Sequence, residues 1–249
     1  MSIRLVGLHK SFGTKTVLDG VDLEVAEGGT VAVMGSSGVG KSVLLKHVVG
    51  LLRPDRGEIW VDGDNVNGLS GEGLRDLRRK VGYVFQFAAL FDSLTIADNI
   101  CLGLRRLPDW DDARIRERVE ECLHLVDLEG YGERFPAQLS GGQRKRAGLA
   151  RAIATRPRYL LYDEPTTGLD PVTTTVIDRL IMRMRDELGV TSVVITHDLT
   201  SAFRVSDRVA MLHDGRIRFF GTPQEIQEAT DPVVRGFVAG LPELFEEAT

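Results

Sequence analysis

The stretch Gly35-Ser36-Ser37-Gly38-Val39-Gly40-Lys41-Ser42 has the residue types and spacing of a loop that grips phosphate. It follows a short β-branched run at residues 30–34 and leads into residues 42–49, whose apolar pattern reads as a buried helix. A tight loop feeding a helix aims several backbone N–H groups at one point, and the helix dipole adds positive potential there. Residues 38–42 are therefore expected to wrap the β- and γ-phosphates of a nucleotide. Lys41 supplies a point charge for the β/γ oxygens and the Ser42 hydroxyl a ligand for Mg²⁺. Val43 carries no hydroxyl, so a contact there comes from its amide. Residues 159–164 form an apolar strand that delivers Asp163 and Glu164 at its C-terminal end, where open α/β sheets bind their ligands. Asp163 is expected to hold Mg²⁺ through water, and Glu164 to polarise the attacking water as general base. Capping of the turn after the strand is the alternative use of such a pair. A second glycine-rich stretch, Leu139-Ser140-Gly141-Gly142-Gln143, precedes a helical pattern, so its amides make another anion-attracting helix start.

These groups need a scaffold, and the hydrophobic pattern predicts one. Residues 4–6 and 17–25 read as strands around a turn at Phe12-Gly13, and residues 58–61 as a strand ending at Asp62-Gly63. Together they imply an antiparallel edge subdomain. Buried strands follow at residues 81–85, 159–162 and 192–196, separated by helical patterns, the alternation of a mostly parallel α/β sheet. Residues 111–128 place Ile115, Val119, Cys122, Leu123 and Val126 on one helical face, read as packing within an inserted helical subdomain at about residues 88–152. Residues 208–212 and 217–220 flank His213-Asp214-Gly215-Arg216, where Asp-Gly predicts a tight hairpin.

At 249 residues the chain has room for one large domain with a sizeable insertion. Its 31 basic and 36 acidic residues leave a net charge of −5, which gives no footprint for nucleic acid. The run Arg144-Lys145-Arg146 reads as a solvated helix face. Cys101 and Cys122 lie far apart with no CxxC pair, which suits a reducing compartment and half-buried, unpaired thiols. His9, His47, His124 and His213 read as ordinary side chains. Residues 1–12 lack an apolar leader core, and no segment reaches membrane-spanning length, so the chain is expected to be cytosolic and peripheral to any membrane it serves.

The pairing of the residue 35–42 loop with Leu-Ser-Gly-Gly-Gln at residues 139–143, followed by Pro165 and Gly168-Leu169-Asp170, resembles ATP-binding-cassette (ABC) proteins, and the likeness covers nearly the whole chain. The resemblance implies a P-loop NTPase fold of the ABC ATPase type, ATP hydrolysis, and ATP with Mg²⁺ as cofactors. It implies a nucleotide-binding domain over residues 1–229 and a C-terminal extension over residues 230–249 that contacts a second subunit or a small accessory protein. Gln86 looks like the glutamine that touches Mg²⁺ or the reactive water and senses the transport subunit. His197, in Thr-His-Asp after a strand, resembles the histidine that contacts the γ-phosphate. Phe12 occupies the position of an aromatic that stacks on adenine, with packing of its turn as the alternative. The nucleotide contacts implied are Phe12, Gly35, Ser36, Ser37, Gly38, Val39, Gly40, Lys41, Ser42, Val43, Ser140, Gly141, Gly142, Gln143 and Asp170. In the family, each nucleotide is clamped head to tail between one copy's Lys41 loop and the other copy's Ser140 loop.

Residues 85–95, 144–152 and 231–240 look like the ATPases of MCE-linked lipid transporters. That likeness implies integral-membrane permease subunits, an MCE-domain lipid-binding protein and a location on the inner face of the cell (inner) membrane. Phe87, Leu90 and Phe91 follow Gln86 where such permeases dock, and internal packing is equally compatible with them. An importer of amino acids or another small solute, and a soluble ABC ATPase without a permease, are the competing readings.

Overall fold

Alternation of apolar and polar residues sets the first sheet. In a computed structural model describing residues 2–241, 243 and 245, strand β1 (Ile3–Phe12) buries Ile3, Leu5 and Leu8 and turns Arg4 and Val6 outward. It pairs antiparallel with β2 (Lys15–Val25) on one side. On the other side it pairs with β4 (Arg56–Val61), which pairs in turn with β5 (Asp64–Asn65). The register slips between Leu5 and Leu8, where the backbone of Gly7 lies so close to β4 that a Cβ on Gly57 would sit 2.2 Å from the Gly7 carbonyl oxygen. This is the antiparallel edge that the sequence predicts.

The chain divides into two compact units, Met1–Leu77 with Thr191–Thr249, and Arg78–Val190. In the first, between β2 and β4, come β3 (Thr30–Met34), buried at every position, and α1 (Lys41–Val48). A near-continuous apolar run is what a strand covered on both faces requires, and β3 pairs parallel with both β8 (Thr191–Ile195) and β9 (Arg208–His213). Between β8 and β9 lies α7 (Leu199–Val205), and β9 turns back antiparallel into β10 (Arg216–Gly221). Asp214 and Gly215 have φ of 46° and 73°, the left-handed pair that a two-residue hairpin needs. Helices α8 (Pro223–Gln227) and α9 (Pro232–Ala239) close the unit. Val233 and Val234 of α9 are fully buried in a core cluster with Met34, Val209, Met211 and Ile226. Helix α9 of the C-terminal extension thus packs on its own unit, while residues 242, 244 and 246–249 lie outside the described residues.

The second unit holds β6 (Val81–Val84) and β7 (Tyr159–Asp163), paired in parallel, with α3 (Ile96–Cys101), α4 (Asp112–Leu125), α5 (Gly141–Ile153) and α6 (Pro171–Leu188). Helix α2 (Gly71–Lys80), which bridges the unit boundary, carries only Leu77 as a buried residue, too weak a periodic signal to read beforehand. Helix α4 buries the predicted face of Ile115, Val119, Cys122 and Leu123, together with Arg118. Both cysteines are free, but they are fully buried instead of half-buried, because each sits on the apolar side of its helix. Burial pushes the Cys122 thiol up to about 12. Among the described residues no helix is long and apolar enough to cross a membrane.

Candidate functional site

In the first unit the phosphate-type loop is shaped by positions that accept no side chain. Gly35 has φ 149°, and a Cβ there would lie 2.3 Å from the Leu212 carbonyl oxygen. Gly40, with φ 114°, forms the N-cap of α1, and its Cβ would meet Val17 at 2.8 Å. Lys41 is buried, and its Nζ donates to the carbonyl oxygens of Gly35 at 2.8 Å and Ser36 at 3.0 Å, so the ammonium sits inside the curl of its own loop. The outer side of the loop faces a cavity of about 500 Å³, walled by Ser36 to Val39 and by Thr16 and Val17 of β2. Phe12 is not in that wall. Its ring is half exposed at the end of β1, with Lys10 Nζ 5.5 Å from the ring centroid. His197 follows β8 in an exposed position, next to Asp198, which caps α7 by accepting from Ser201 N at 3.1 Å.

In the second unit Asp163 ends β7 as a buried carboxylate, and Tyr83 of β6 donates its hydroxyl to Oδ2 at 2.9 Å. Burial first, then the Asp163 charge, pushes the Tyr83 phenol far above its usual range and keeps it a donor. Glu164 takes a left-handed backbone, φ 51°, and its Oε2 accepts from the Thr167 hydroxyl at 2.9 Å. A non-glycine residue in that region is strained and persists where the surroundings hold it. Gln86 leaves the end of β6 half-buried, and its carbonyl oxygen accepts a bond from Lys145 Nζ of α5. The same ammonium lies 3.4 Å from the Glu164 carbonyl oxygen.

In the basic run at the start of α5, Arg144 is exposed and Arg146 half-buried, as a solvated face requires, and Lys145 alone departs from that reading. Lys145 is buried, Arg144 donates to the Leu139 carbonyl oxygen at 2.7 Å, and Arg146 donates to that of Asp127 at 2.7 Å. Backbone acceptors draw the Lys145 charge inward, while the two arginines reach backbone oxygens from the surface. At the other glycine-rich stretch, Ser140 and Gln143 form a reciprocal capping box, with Gln143 N donating to Ser140 Oγ at 3.2 Å and Ser140 N to Gln143 Oε1 at 2.8 Å. Gln143 Nε2 also donates to the Tyr131 hydroxyl at 3.1 Å. Both side chains thus serve the cap, the Ser140 hydroxyl keeping its own hydrogen to donate beside the amides of Gly141 and Gly142. Asp170 caps α6, accepting from the amides of Val172 and Thr173 at 3.0 Å each. The Thr173 hydroxyl, followed by the same amides, holds its carboxyl below the usual range.

The sequence profile of the ABC transporter family matches residues 18–167. The chain belongs to the ABC transporter family. It is an ATP-binding cassette of the ATPase type, with the α/β fold of that group. It is 44% identical over 242 residues to the sulfate/thiosulfate import ATP-binding protein CysA of Caulobacter vibrioides, covering 96% of this chain and 70% of that one. To the "Probable ribonucleotide transport ATP-binding protein mkl" of Mycobacterium leprae it is 40% identical, covering 96% and 69%. The chain spans between 64% and 70% of the length of the CysA relatives that it matches. Among solved structures, the cassette MJ0796, a dimer in a post-hydrolysis state bound to ADP and Pi, superimposes with a TM-score of 0.81 at 34% identity, over 89% of this chain and 98% of that one. The protein cbiO1 from Clostridium perfringens, part of the complex cbiONQ, gives 0.84 at 28% identity over 99% and 98%.

Three residues of the cassette escaped sequence reasoning: Tyr83, Thr167 and Lys145. Tyr83 and Lys145 act on a motif residue from another element, so no local spacing marks them. Thr167 alone left a signal, since it follows the carboxylate pair by three residues in a turn. The donor set fits Mg²⁺. Among the described residues there is no cluster of three His, Cys, Asp or Glu side chains that makes a self-sufficient metal cage. Mg²⁺ is generally held by one or two carboxylate or hydroxyl oxygens with phosphate and water completing its shell, and the Ser42 hydroxyl of the first unit and the Asp163 carboxylate of the second are each an oxygen donor of that kind.

Proposed function

We propose that this cassette is the ATP-hydrolysing subunit of a membrane transporter. Lys41 and the amides of residues 38–43 hold the β/γ-phosphates, Ser42 and Asp163 hold Mg²⁺ with Gln86 beside it, and Glu164 takes the proton of the attacking water. His197 contacts the γ-phosphate, and Phe12 stacks on the base. The observation that carries this reading is the Glu164 carboxylate, strained in backbone and fixed by the Thr167 hydroxyl, one residue after a carboxylate held by Tyr83. A general base needs such fixing to stay within hydrogen-bond reach of its proton. Mg²⁺ would neutralise charge developing on the phosphate oxygens. Two copies pair head to tail, so that the Gly141 and Gly142 amides of one, with Ser140, Gln143 and Asp170 shaping that end, reach the nucleotide of the other. Support comes from the dimeric relative bound to ADP and Pi.

The transporter partner is an integral-membrane permease that docks on the segment after Gln86. Phe87 and Phe91 are 84% and 57% exposed there, an apolar surface that internal packing leaves uncovered. Leu90 is only half-buried beside them. The substrate we infer is a phospholipid or related lipid, moved with an MCE-domain protein and a small accessory protein, on the resemblance of residues 85–95, 144–152 and 231–240. The cassette then sits on the inner face of the cell membrane, with residues 1–229 as the nucleotide-binding domain and residues 230–249 toward a partner. A second reading, import of a small solute, is favoured by the 44% identity to the sulfate/thiosulfate import protein. Affinity purification from native membranes separates them: an MCE-domain protein among the captured partners supports lipid, and a solute-binding protein supports import. Hydrolysis itself is tested with Glu164→Gln, which should keep ATP and accumulate a closed dimer with turnover nearly abolished, and with Lys41→Ala, which should lose the nucleotide. Normal turnover by Glu164→Gln refutes the assigned base.

A further inference from the structure

One face of α5 grips the segment that follows Gln86. Lys145, Gly148 and Arg151 stand three residues apart, so they line a single side of the helix. Lys145 donates to the Gln86 carbonyl oxygen. Gly148 abuts Ala88 so closely that a Cβ on it would lie 3.0 Å from the Ala88 Cβ. Arg151 donates to the carbonyl oxygens of Ala88 at 2.8 Å and Ala89 at 2.5 Å. The gripped segment is strained: Ala88 and Ala89 have φ of 60° and 49°, two successive left-handed residues that are not glycine. Such a conformation holds only while outside contacts fix it.

Of the three, Lys145 alone also reaches the hydrolytic residue. Its Nζ is 3.4 Å from the Glu164 carbonyl oxygen, and Glu164 is itself left-handed at φ 51°. We propose that Lys145 is a positioning residue for hydrolysis, tying the main chain at Gln86 to the main chain at Glu164 so that a shift of the segment is felt at the base. This rests on the reading of Glu164 as general base. The ammonium suits the task. It is a compact charge with three donors, it is 8% exposed, and among the described residues both of its acceptors are backbone carbonyl oxygens. A backbone acceptor cannot swing away as a side chain can, so movement of either carbonyl must drag the other or break the bridge. The Glu164 carboxylate keeps its own bond to Thr167, and the link from Lys145 is made to the Glu164 backbone.

The test compares Lys145→Met, which keeps the stem and removes the donor, with Lys145→Arg, which restores one, in the full chain alongside Glu164→Gln. Steady-state kcat and KM for ATP, nucleotide affinity and the melting temperature are read for each. The expected result is a loss of kcat of about 10- to 100-fold in Lys145→Met, as for displacement of a reacting group by about an ångström. Nucleotide affinity should stay within about twofold, and Lys145→Arg should recover most of kcat. Should Lys145→Met fail to fold, Lys145→Leu, which also removes the donor, is judged by the same split. An unchanged kcat overturns the proposal, as does a loss of kcat, affinity and melting temperature in step that Lys145→Arg does not repair. An active Glu164→Gln would instead refute the base assignment, whatever Lys145→Met shows.

Discussion

Adding one methyl group at Gly142 probes how the second phosphate-type helix start is seated. Gly142 lies in the first turn of α5, and an added Cβ would fall 2.5 Å from the Thr173 Cγ2 of α6. That is well inside contact distance, so Thr173 or the helix must move. Overpacking of this kind costs about 1–3 kcal/mol, and removing a helical glycine returns up to about 1 kcal/mol. Gly142→Ala should therefore lose roughly 1 kcal/mol net, about 2–4 °C in melting temperature for a chain of this size. Thr173→Ser deletes Cγ2 and keeps the hydroxyl that donates to Asp170. Combined with Gly142→Ala it should remove the clash and show a coupling of about 1–2 kcal/mol in a double-mutant cycle. Chemical denaturation of the four proteins supplies the cycle, with ATP turnover measured on each. If the free energies add to within about 0.5 kcal/mol, the close contact does not exist as described. Turnover should recover with stability, because the double variant leaves both amides in place. A stable but inactive double variant would show that the bare glycine surface, and not only its N–H group, meets the nucleotide.

Tyr83→Phe removes the donor to Asp163 without changing the ring. Loss of a supporting contact to a metal ligand weakens metal binding by about 10-fold or more, so half-maximal ATP turnover should need about 10 times more Mg²⁺, and an unchanged Mg²⁺ titration would contradict the role given to Asp163. His47 of α1 is buried, and burial holds its imidazole below the ordinary 6.5, while Nδ1 is 2.7 Å from the Val43 carbonyl oxygen. A lowered folded-state value means that the unfolded chain takes up the proton first, so this stabilisation is complete above pH 6.5 and is lost as the pH falls below it. Melting temperatures at pH 7.5 and 5.5 should show a drop that His47→Gln reduces, and an identical drop in the variant would refute the assignment. Arg118 of α4, 2% exposed, donates to the carbonyl oxygens of Ala154 at 3.0 Å and Ile153 at 2.6 Å just past and at the end of α5. Arg118→Met leaves those acceptors unpaired and should cost about 2–4 kcal/mol in denaturant titration, and a loss under about 1 kcal/mol would show that water replaces the guanidinium.

The loop proposed to hold phosphate stands out in the chain because such a loop must be written locally. A loop that points amides at one site, a lysine beside it and a helix behind it occupy consecutive residues, so Gly35 to Ser42 announce themselves, and so do Asp163 and Glu164 at the end of an apolar run. The antiparallel edge and the β9–β10 hairpin were legible for a similar reason, since strand alternation and an Asp-Gly pair are local rules. Helix α2, with Leu77 alone buried, has no such rule to follow. The environment of the two carboxylates was opaque. Lys145 looks in sequence like one of three surface charges, and what sets it apart is that α5 passes the Gln86 and Glu164 carbonyls at bonding distance. Every residue has a carbonyl, so an acceptor of that kind leaves no mark in the sequence. The left-handed φ angles of Ala88 and Ala89 are equally silent, because alanine gives no hint of them. Residues that touch the nucleotide are constrained by its chemistry and repeat as motifs. Residues that hold those motifs in place are constrained by three-dimensional proximity alone, so substitutions such as Lys145→Met and Tyr83→Phe, not a reading of spacing, are what can reveal them.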